Sequence, residues 1–323
     1  MAKAVIASTT GGPDVLRLVE VEQRPPGHGE AWVEHDAVGV NYLDVMQRQG
    51  AVPIPLPGGI GLEGAGRVTA VGPGVEGVAI GDRVGYILGP IGSYATGRLY
   101  PAERLVKLPD DIDARSAASI LFKGITAQYL IKSTYKVVPG TNILLYGASG
   151  GVGLILASWA KHLGARVIGV VSREASVEAA TRAGCESVLV WGSCDLPTEV
   201  ARLTDGQMVD VVYDGIGKKT FNASIDSLRP RGMMVSIGAS SGLPDPVSIA
   251  TLNKNSLFLT RPGLAAHATA MGEYRSRAAD VLAAVQQGVI VPAIGKSFAL
   301  ADAAEAHRAL EHGLAGGAVI LEC

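Results

Sequence analysis

Cysteine is scarce in this chain of 323 residues, which contains only Cys185, Cys194 and Cys323. Three scattered thiols are too few for a disulfide framework or a cysteine-rich metal centre. Charged residues make up 18% of the sequence and the net charge is −2, so no basic surface favours nucleic acid. Apolar runs stay shorter than the roughly 18 residues of a membrane helix, and the first residues lack the apolar core of a signal peptide. We therefore expect a soluble, cytoplasmic protein with neither membrane nor nucleic acid as a partner.

The chain is rich in apolar residues, which make up 48% of it, and its length predicts two domains. From the first residue to about Leu121, Gly-Pro and Gly-Asp turns separate short strands, which indicates a compact, partly open barrel. These strands are predicted over 33–40, 66–71 and 82–86. Asn41 precedes a short helix predicted over 42–48. Its side-chain oxygen either caps that helix or has a functional role.

The remainder alternates strand and helix, as a parallel sheet with crossover connections requires. Near Ala114 the pattern becomes helical, and Gly124 opens a second predicted helix that runs through Tyr129 and Leu130. Strands follow over 166–171, 187–191, 209–213, 233–237 and 256–260, and helices over 175–183, 198–203 and 219–228. Two later helices, 279–287 and 302–310, and a strand, 318–321, do not extend the alternation. We expect them to return to the first domain.

The stretch 142–153 has the pattern of a buried strand, a glycine turn and the start of a helix. In such a corner Gly150 admits a pyrophosphate, Gly153 lets helix and strand pack closely, and the helix N-terminus faces the negative charge. Ala148 replaces the first glycine of the usual G-x-G-x-x-G pattern. The same residues also fit G-x-S-x-G, the nucleophile elbow of serine hydrolases, with Ser149 as nucleophile. That alternative needs a later base, for which the chain offers His267, His307 and His312.

Short motifs recur in one order from end to end, at 11–16, 39–44, 61–66, 81–84, 123–127, 150–153, 212–214 and 260–262. With them the chain resembles the medium-chain dehydrogenase/reductase superfamily, and within it the zinc-free NADPH:quinone oxidoreductases of the zeta-crystallin-like group. The resemblance implies an α/β protein with two domains. A GroES-like, partly open β-barrel domain would comprise 1–124 and 262–323, and a Rossmann domain with a doubly wound parallel sheet would comprise 125–261.

NADPH is the cofactor that this resemblance implies, and the end of the strand 166–171 favours the same choice. Folds that prefer NAD place an acid at this point, about 20 residues past the glycine motif. Here Ser172 and Arg173 follow the strand, and a guanidinium can bind a 2′-phosphate through two hydrogen bonds. Glu174 adds a negative charge nearby, and Ser176 stands where some relatives carry a phosphate-pairing lysine.

Individual roles also follow from the resemblance. It implies Asn41 and Thr126 at the nicotinamide side of NADPH, and the proton would come from water or from a cleft hydroxyl such as that of Tyr42. Asn41, Thr126 and Tyr42 are the predicted catalytic residues. Lys123 and Tyr129 would line the cleft near the cofactor, although each is equally compatible with a structural role, as is Tyr42. The other predicted cofactor residues are Gly150, Gly151, Val152 and Gly153 for the pyrophosphate, Ser172, Arg173 and Ser176 for the 2′-phosphate, Trp191 for the adenine-ribose end, and Ile237, Gly238, Ala239 and Ser240 for the other side.

No metal is expected. Asn41 stands about where zinc-using relatives carry a cysteine, and Leu62 stands where they carry a histidine; neither side chain is a zinc ligand. The stretch 86–104 has none of the four cysteines of their structural zinc lobe.

The predicted reaction is hydride transfer from NADPH C4 to a quinone in the interdomain cleft, which needs no metal. Reduction of the double bond of an enone or alkenal is one alternative, and NADPH binding without catalysis, as in some crystallins, is another. The apolar strand 256–260 predicts a homodimer, because as the last strand of the sheet it leaves an open edge. A second copy would pair with that edge, unless the C-terminal helices of the same chain cover it.

Overall fold

The computed structural model describes residues 1–323, which form two compact units. The first unit comprises Met1–Lys123, Ala270–Gln286 and Pro292–Cys323, and the second comprises Gly124–Thr269 and Gln287–Val291. The strands are β1 (Ala2–Ala7), β2 (Leu16–Val21), β3 (Glu30–Val40), β4 (Gly58–Gly59), β5 (Glu63–Val71), β6 (Arg83–Ile87), β7 (Gly97–Pro101), β8 (Val106–Lys107), β9 (Asn142–Tyr146), β10 (Arg166–Val171), β11 (Ser187–Val190), β12 (Val209–Asp214), β13 (Leu228–Ser236), β14 (Phe258–Thr260), β15 (Ile294–Ala299) and β16 (Ala318–Glu322). The helices are α1 (Tyr42–Gln49), α2 (Ala114–Tyr129), α3 (Gly151–His162), α4 (Val177–Ala183), α5 (Leu196–Leu203), α6 (Phe221–Asp226), α7 (Ile249–Asn253), α8 (Leu264–Ala268), α9 (Met271–Gln286) and α10 (Ala303–Glu311).

A six-stranded parallel sheet organises the second unit, in the order β11-β10-β9-β12-β13-β14. Every residue of β9 is buried, as its apolar sequence requires of a central strand. From β9 the chain moves outward to β10 and β11, then returns to the other side of β9 for β12, β13 and β14. This is the doubly wound Rossmann arrangement, and the prediction of it is confirmed. Ligands of such sheets bind at the carboxyl ends of the strands, where the strand order reverses.

Two sheets make up the first unit. Seven strands form one of them, in the order β15-β16-β3-β5-β6-β8 with β7 also paired to β3, and β2-β1-β4 form the other. β16 lies between β15 and β3, with Val319 opposite Val40 in the antiparallel register. The end of the chain therefore does return to the first unit. Fully buried aliphatic side chains such as Val38, Val40 and Leu321 fill its core.

α2 is one continuous helix, and the prediction of two helices that separate at Gly124 was wrong. The carboxylate of Asp113 accepts a hydrogen bond from the Ser116 N–H (2.7 Å) and so caps its first turn. Gly124 lies within the helix beside buried Ile125, so tertiary packing outweighs the local cost of a glycine. α2 continues as a π-helical turn, Leu130–Thr134.

The end of the second unit differs from the predicted boundary after residue 261. Residues 262–269 belong to this unit, where the ring of His267 on α8 stacks on Tyr129 with centroids 4.2 Å apart. The helix predicted over 279–287 begins earlier, at Met271. Leu257, predicted in the apolar edge strand, is instead part of the buried core, and β14 begins with Phe258, which is 57% exposed. None of the helices has the length and apolarity needed to cross a membrane.

Candidate functional site

The glycine turn after β9 has the geometry of an anion-binding corner. Gly147 has a φ of +64°, a conformation that favours glycine, and its carbonyl accepts from the Gly150 N–H at 2.8 Å. A Cβ on Gly153 would lie 2.1 Å from the Gly147 oxygen, so this position excludes any side chain. α3 begins directly afterwards and has no acid in its first turn. Its first N–H groups have no acceptor within the helix, as at every helix start, and suit a pyrophosphate. Gly151 and Val152 contribute to this first turn.

Residues predicted to bind the 2′-phosphate and the adenine follow the carboxyl ends of two neighbouring strands. Ser172 and Arg173 come directly after β10 and are exposed, and the Arg173 Nε lies 3.4 Å from the Ser176 Oγ. Trp191 follows β11, where its backbone N–H donates to the Val171 carbonyl at 2.8 Å. The Trp191 ring packs edge-on against Tyr146 at 6.0 Å between centroids. The structure thus brings these predicted residues to one edge of the sheet.

Loops at the ends of β12 and β13 are fixed to each other by Asp214. Its carboxylate is fully buried and accepts from the Gly217 N–H (3.1 Å) and the Thr220 hydroxyl (2.7 Å). Its carbonyl accepts from the Ile237 N–H at 2.8 Å, which starts the predicted segment of Ile237, Gly238, Ala239 and Ser240. A Cβ on Gly238 would come within 2.7 Å of a backbone oxygen of the neighbouring loop. This segment is therefore held rigidly at the same edge as the glycine turn.

Thr126 and Tyr129 lie one turn apart on α2, within the second unit. Thr126 is half-buried, whereas Tyr129 is only 3% exposed and stacks on His267. Most of the Tyr129 ring is therefore committed to packing inside the protein.

A buried polar cluster in the first unit consists of Asn41, Glu63 and Lys123. The Glu63 carboxylate accepts from the Asn41 Nδ2 (2.9 Å), the Phe122 N–H (2.8 Å) and the Lys123 Nζ (3.4 Å). The Lys123 ammonium also donates to the Asn41 Oδ1 at 2.8 Å. Gly39 leaves the space that this arrangement needs, because a Cβ there would lie 2.1 Å from the Glu63 Oε2. A positive charge and an amide are thus held in a fixed arrangement away from bulk water.

The structure places Asn41 at the start of α1 and in the buried polar cluster at once. Asn41 and Asp44 form the capping box at the start of α1, and the Asn41 side chain also bonds Glu63 and Lys123. In this capping box the Asp44 carboxylate accepts from the Asn41 backbone N–H at 2.9 Å. Glu63, which binds both Asn41 and Lys123, is not among the residues predicted from the sequence. The available signal was a carboxylate between Leu62 and Gly64 in an otherwise apolar stretch, which is costly to bury without a partner.

Asp44 begins a second buried chain of hydrogen bonds. Its Oδ2 also accepts from the Tyr94 hydroxyl (3.0 Å), and this hydroxyl lies 3.0 Å from the Nε2 of His307 on α10. Burial raises the pKa of Asp44 to about 7 and lowers the pKa of His307 to about 3. The Arg48 guanidinium, which has no exposed side-chain area, binds Glu311 through both of its terminal nitrogens.

Tyr42, the first residue of α1, is 38% exposed. Partial burial and the Glu311 charge raise the pKa of its hydroxyl. The hydroxyl therefore remains protonated at neutral pH and can donate a proton.

Comparison with known proteins identifies the family. A family model described as "Alcohol dehydrogenase GroES-like domain" matches residues 27–110, and one described as "Zinc-binding dehydrogenase" matches residues 151–285. A 2-haloacrylate reductase from Burkholderia sp is 41% identical over 330 aligned residues, which cover 99% of each chain. A quinone oxidoreductase from Pseudomonas aeruginosa is 39% identical, again over 99% of both. The chain belongs to the quinone oxidoreductases of the medium-chain dehydrogenase/reductase superfamily.

The same family appears among solved structures. An Escherichia coli quinone oxidoreductase, crystallised in complex with NADPH, superposes with a TM-score of 0.96 at 36% identity and covers 99% of this chain and 100% of its own. The predicted combination of a GroES-like domain and a Rossmann domain is thereby confirmed.

Because the chain belongs to a family of oxidoreductases, the alternative prediction of a serine hydrolase was wrong. The three candidate bases have other roles in the structure: His267 stacks on Tyr129, His307 contacts Tyr94, and the His312 Nδ1 lies 2.7 Å from a carbonyl of its own helix. Ser149 belongs to the glycine turn.

Although one family model carries zinc in its name, no group of three or more His, Cys, Asp or Glu residues is arranged to hold a metal ion. The cluster around Glu63 has a lysine ammonium as its cation.

Proposed function

We infer that the chain is an enzyme that uses NADPH to reduce a quinone, a small-molecule electrophile. Full-length similarity to quinone oxidoreductases, one of them crystallised with NADPH, carries this proposal. The glycine turn before α3 and the basic residue after β10 support it, because they are the two features that NADPH binding needs in a Rossmann sheet.

Each predicted cofactor residue of the sheet edge has a proposed task. Gly150, Gly151, Val152 and Gly153 would bind the pyrophosphate through backbone N–H groups, and Ser172, Arg173 and Ser176 would bind the 2′-phosphate. Trp191 offers an aromatic face for the adenine, and the fixed segment at 237–240 would limit the cofactor on its other side. When bound, NADPH supplies the hydride that reduces the acceptor.

Residues at the start of α1 and on α2 would bind the nicotinamide end of the cofactor and the acceptor. We assign Asn41, Thr126 and Lys123 to the nicotinamide side, and Tyr129 to a supporting position because most of its surface is buried. The Lys123 ammonium is fixed by Glu63 and Asn41, so it can stabilise negative charge on an acceptor oxygen without reorientation. The Tyr42 hydroxyl or water would then supply the proton.

A steady-state assay tests this proposal. NADPH oxidation is followed with a panel of quinones and α,β-unsaturated carbonyl compounds, and NADH is used as the comparison cofactor. We expect the highest kcat/KM with NADPH and a quinone. Failure to oxidise NADPH with any acceptor would leave cofactor binding without catalysis, the crystallin-like alternative.

A second candidate function is reduction of an activated carbon–carbon double bond. The 41% identity to a 2-haloacrylate reductase favours it specifically. The same panel separates the two, because a double-bond reductase would prefer enones, alkenals or haloacrylates over quinones.

We also propose a homodimer that pairs through the edge of the parallel sheet. β14 pairs only with β13, and Phe258 at its start exposes a large apolar surface. An uncovered apolar edge is a template for pairing with another chain, and a two-fold axis would satisfy both copies. A cytoplasmic location stays a prediction.

A further inference from the structure

The hydrogen bonds of α1 extend from Asn41 into the interior of the first unit, beyond the residues to which the proposed reaction gives a task. Asn41, Asp44, Tyr94 and His307 are all at most 5% exposed. They form one connected chain, because the Asp44 Oδ2 joins the Asn41 N–H to the Tyr94 hydroxyl, and the hydroxyl meets the His307 Nε2. Neither the Asp44 Oδ1 nor the His307 Nδ1 has a hydrogen-bond partner, so this chain does not branch at either residue.

One hydroxyl hydrogen is shared between two possible acceptors in this chain. When Asp44 is ionised, the Tyr94 hydroxyl donates to the carboxylate, and His307 donates from Nε2 to the hydroxyl oxygen. When Asp44 is protonated, its O–H can donate to the Tyr94 oxygen, and the Tyr94 hydroxyl then donates to Nε2 of the His307 tautomer that carries its proton on Nδ1. Only the ionised carboxylate accepts charge-assisted bonds from both Tyr94 and Asn41, and such bonds are about twice as strong as neutral ones.

We propose that Asp44 and Tyr94 are positioning residues for Asn41, and that ionisation of Asp44 places Asn41 in the arrangement required for hydride transfer. The inference rests on the proposed function, which assigns Asn41 to the nicotinamide side. Asn41 is held at three points: Glu63 and Lys123 fix its side chain, and Asp44 fixes its backbone N–H. The backbone of Asn41 is extended (φ −124°, ψ 152°). The hydrogen bond from its N–H to Asp44 therefore fixes the direction in which the polypeptide enters α1.

Charged side chains from several elements affect the ionisation of Asp44 and His307 in this hydrogen-bonded chain. Lys123 of α2 favours the ionised form of Asp44, and Glu63 of β5 opposes it. Arg48 of α1 disfavours protonation of His307 and is itself paired with Glu311 of α10. Burial outweighs these charges and brings the pKa of Asp44 to about 7, while His307 stays neutral. Asp44 is therefore the member of the chain that changes charge near neutral pH.

The backbone amide of Asn41 reports on this ionisation without any reaction. The protein contains five asparagines, so selective ¹⁵N-asparagine labelling gives a simple amide spectrum. We expect the Asn41 amide to shift with a transition near pH 7, and the transition to vanish in Asp44→Asn. In Tyr94→Phe it should move upward by about one pH unit, the size expected from loss of one charge-assisted hydrogen bond.

Steady-state kinetics with NADPH and the best quinone of the panel test whether ionisation of Asp44 affects hydride transfer. We expect kcat to fall as pH decreases through the same transition, and the Tyr94→Phe profile to move upward by the same amount. The KM for NADPH should change less than twofold, because the second unit is proposed to bind the phosphates. Tyr100→Phe is the matched control, since Tyr100 is equally buried but its hydroxyl donates to the carbonyls of Ile87 and Leu88, outside this hydrogen-bonded chain.

The outcomes separate the two proposals. A common shift of the amide and kcat transitions in Tyr94→Phe, absent in Tyr100→Phe, supports the positioning role. If quinones are reduced and the kcat profile of Tyr94→Phe matches the wild-type profile, the positioning role is wrong. If no acceptor is reduced, the proposed function fails, and an Asn41 amide transition that is unchanged in Tyr94→Phe then overturns the hydrogen-bonded chain as well. Tyr94→Phe keeps its ring, so the test does not depend on the folding of Asp44→Asn.

Discussion

Glu63 carries a carboxylate with no exposed surface, and three donors surround its two oxygens. Only one of these donors, the Lys123 ammonium, is charged. A buried charge that loses its partner is far more costly than a buried pair that is replaced together. The two residues therefore determine stability jointly, whatever their role toward a ligand.

Lys123→Met should lower the free energy of unfolding by about 3–5 kcal/mol, because it leaves the Glu63 carboxylate buried without a counter-charge. The double variant Lys123→Met/Glu63→Gln should recover most of this loss, since both charges are then absent. Denaturant unfolding of the single and double variants measures the difference. If Lys123→Met unfolds at the wild-type midpoint, the ion pair contributes no stability.

The pH dependence of stability should report the raised pKa of Asp44. Unfolding returns this pKa to about 3.8, so the folded state holds the proton more tightly, and stability is lost as pH rises from about 4 to about 7. At about 1.4 kcal/mol per pKa unit the loss amounts to at most about 4 kcal/mol. Asp44→Asn removes this loss, so its stability relative to the wild type should rise between pH 5 and pH 8. Asp111→Asn, an exposed control that bonds Gln286, should not show this rise.

Arg173→Ala should weaken NADPH binding by roughly 1.5–3 kcal/mol and leave NADH binding nearly unchanged, because only NADPH carries the 2′-phosphate. Titration with each cofactor measures the two affinities. Arg182→Ala is the matched control, since Arg182 is an exposed arginine of the same unit that pairs with Glu178 on α4. Equal losses for both cofactors in Arg173→Ala would show that Arg173 does not read the 2′-phosphate.

At the scale of elements, local patterns predicted what local forces determine. The apolar run 166–171 gave β10 with its correct ends, because its burial and its boundaries are both visible in neighbouring residues. The break predicted at Gly124 was wrong because packing of the whole of α2 outweighs one poor helix former. The contact of Glu63 with Lys123 joins residues 60 positions apart, so no local pattern contains it. Asn41 and Lys123 could each be named as candidates from the sequence, but neither their contact nor the Glu63 carboxylate that both bind could be predicted.

The glycine turn supplies a test in which binding and folding are separable. Gly150 has a backbone that other residues adopt (φ −82°), and a Cβ there would contact only the Gly147 oxygen, at 3.2 Å. Gly150→Val should therefore keep the fold but abolish detectable NADPH binding, because the side chain would occupy the place of the pyrophosphate. Circular dichroism and NADPH titration measure the two effects. Gly263→Val is the control, since a Cβ there meets nothing within 4 Å. Unchanged NADPH affinity in Gly150→Val would show that the glycine turn has only a structural role.

At the scale of the whole molecule, the open edge of the parallel sheet determines the expected assembly. Phe258→Asp should convert dimers to monomers in light scattering at micromolar concentration, because a charge in the paired edge cannot be buried without a partner. Ile80→Asp replaces an exposed apolar residue (66%) of the first unit and should leave the dimer intact. A wild-type chain that is monomeric at this concentration would refute the dimer.

The position of β16 has a consequence for how the protein is made. β16 pairs with β3 across about 280 residues of chain, so the ribosome completes the second unit before β16 exists. At a synthesis rate of about 5–20 residues per second, residues 37–40 of β3 lack this partner for a time on the order of half a minute. During that interval the nascent first unit presents an open apolar segment at the end of β3, whereas most of the second unit can already fold. We therefore expect chaperones that act on nascent chains to bind chiefly the N-terminal segment, and to release it only when β16 has emerged.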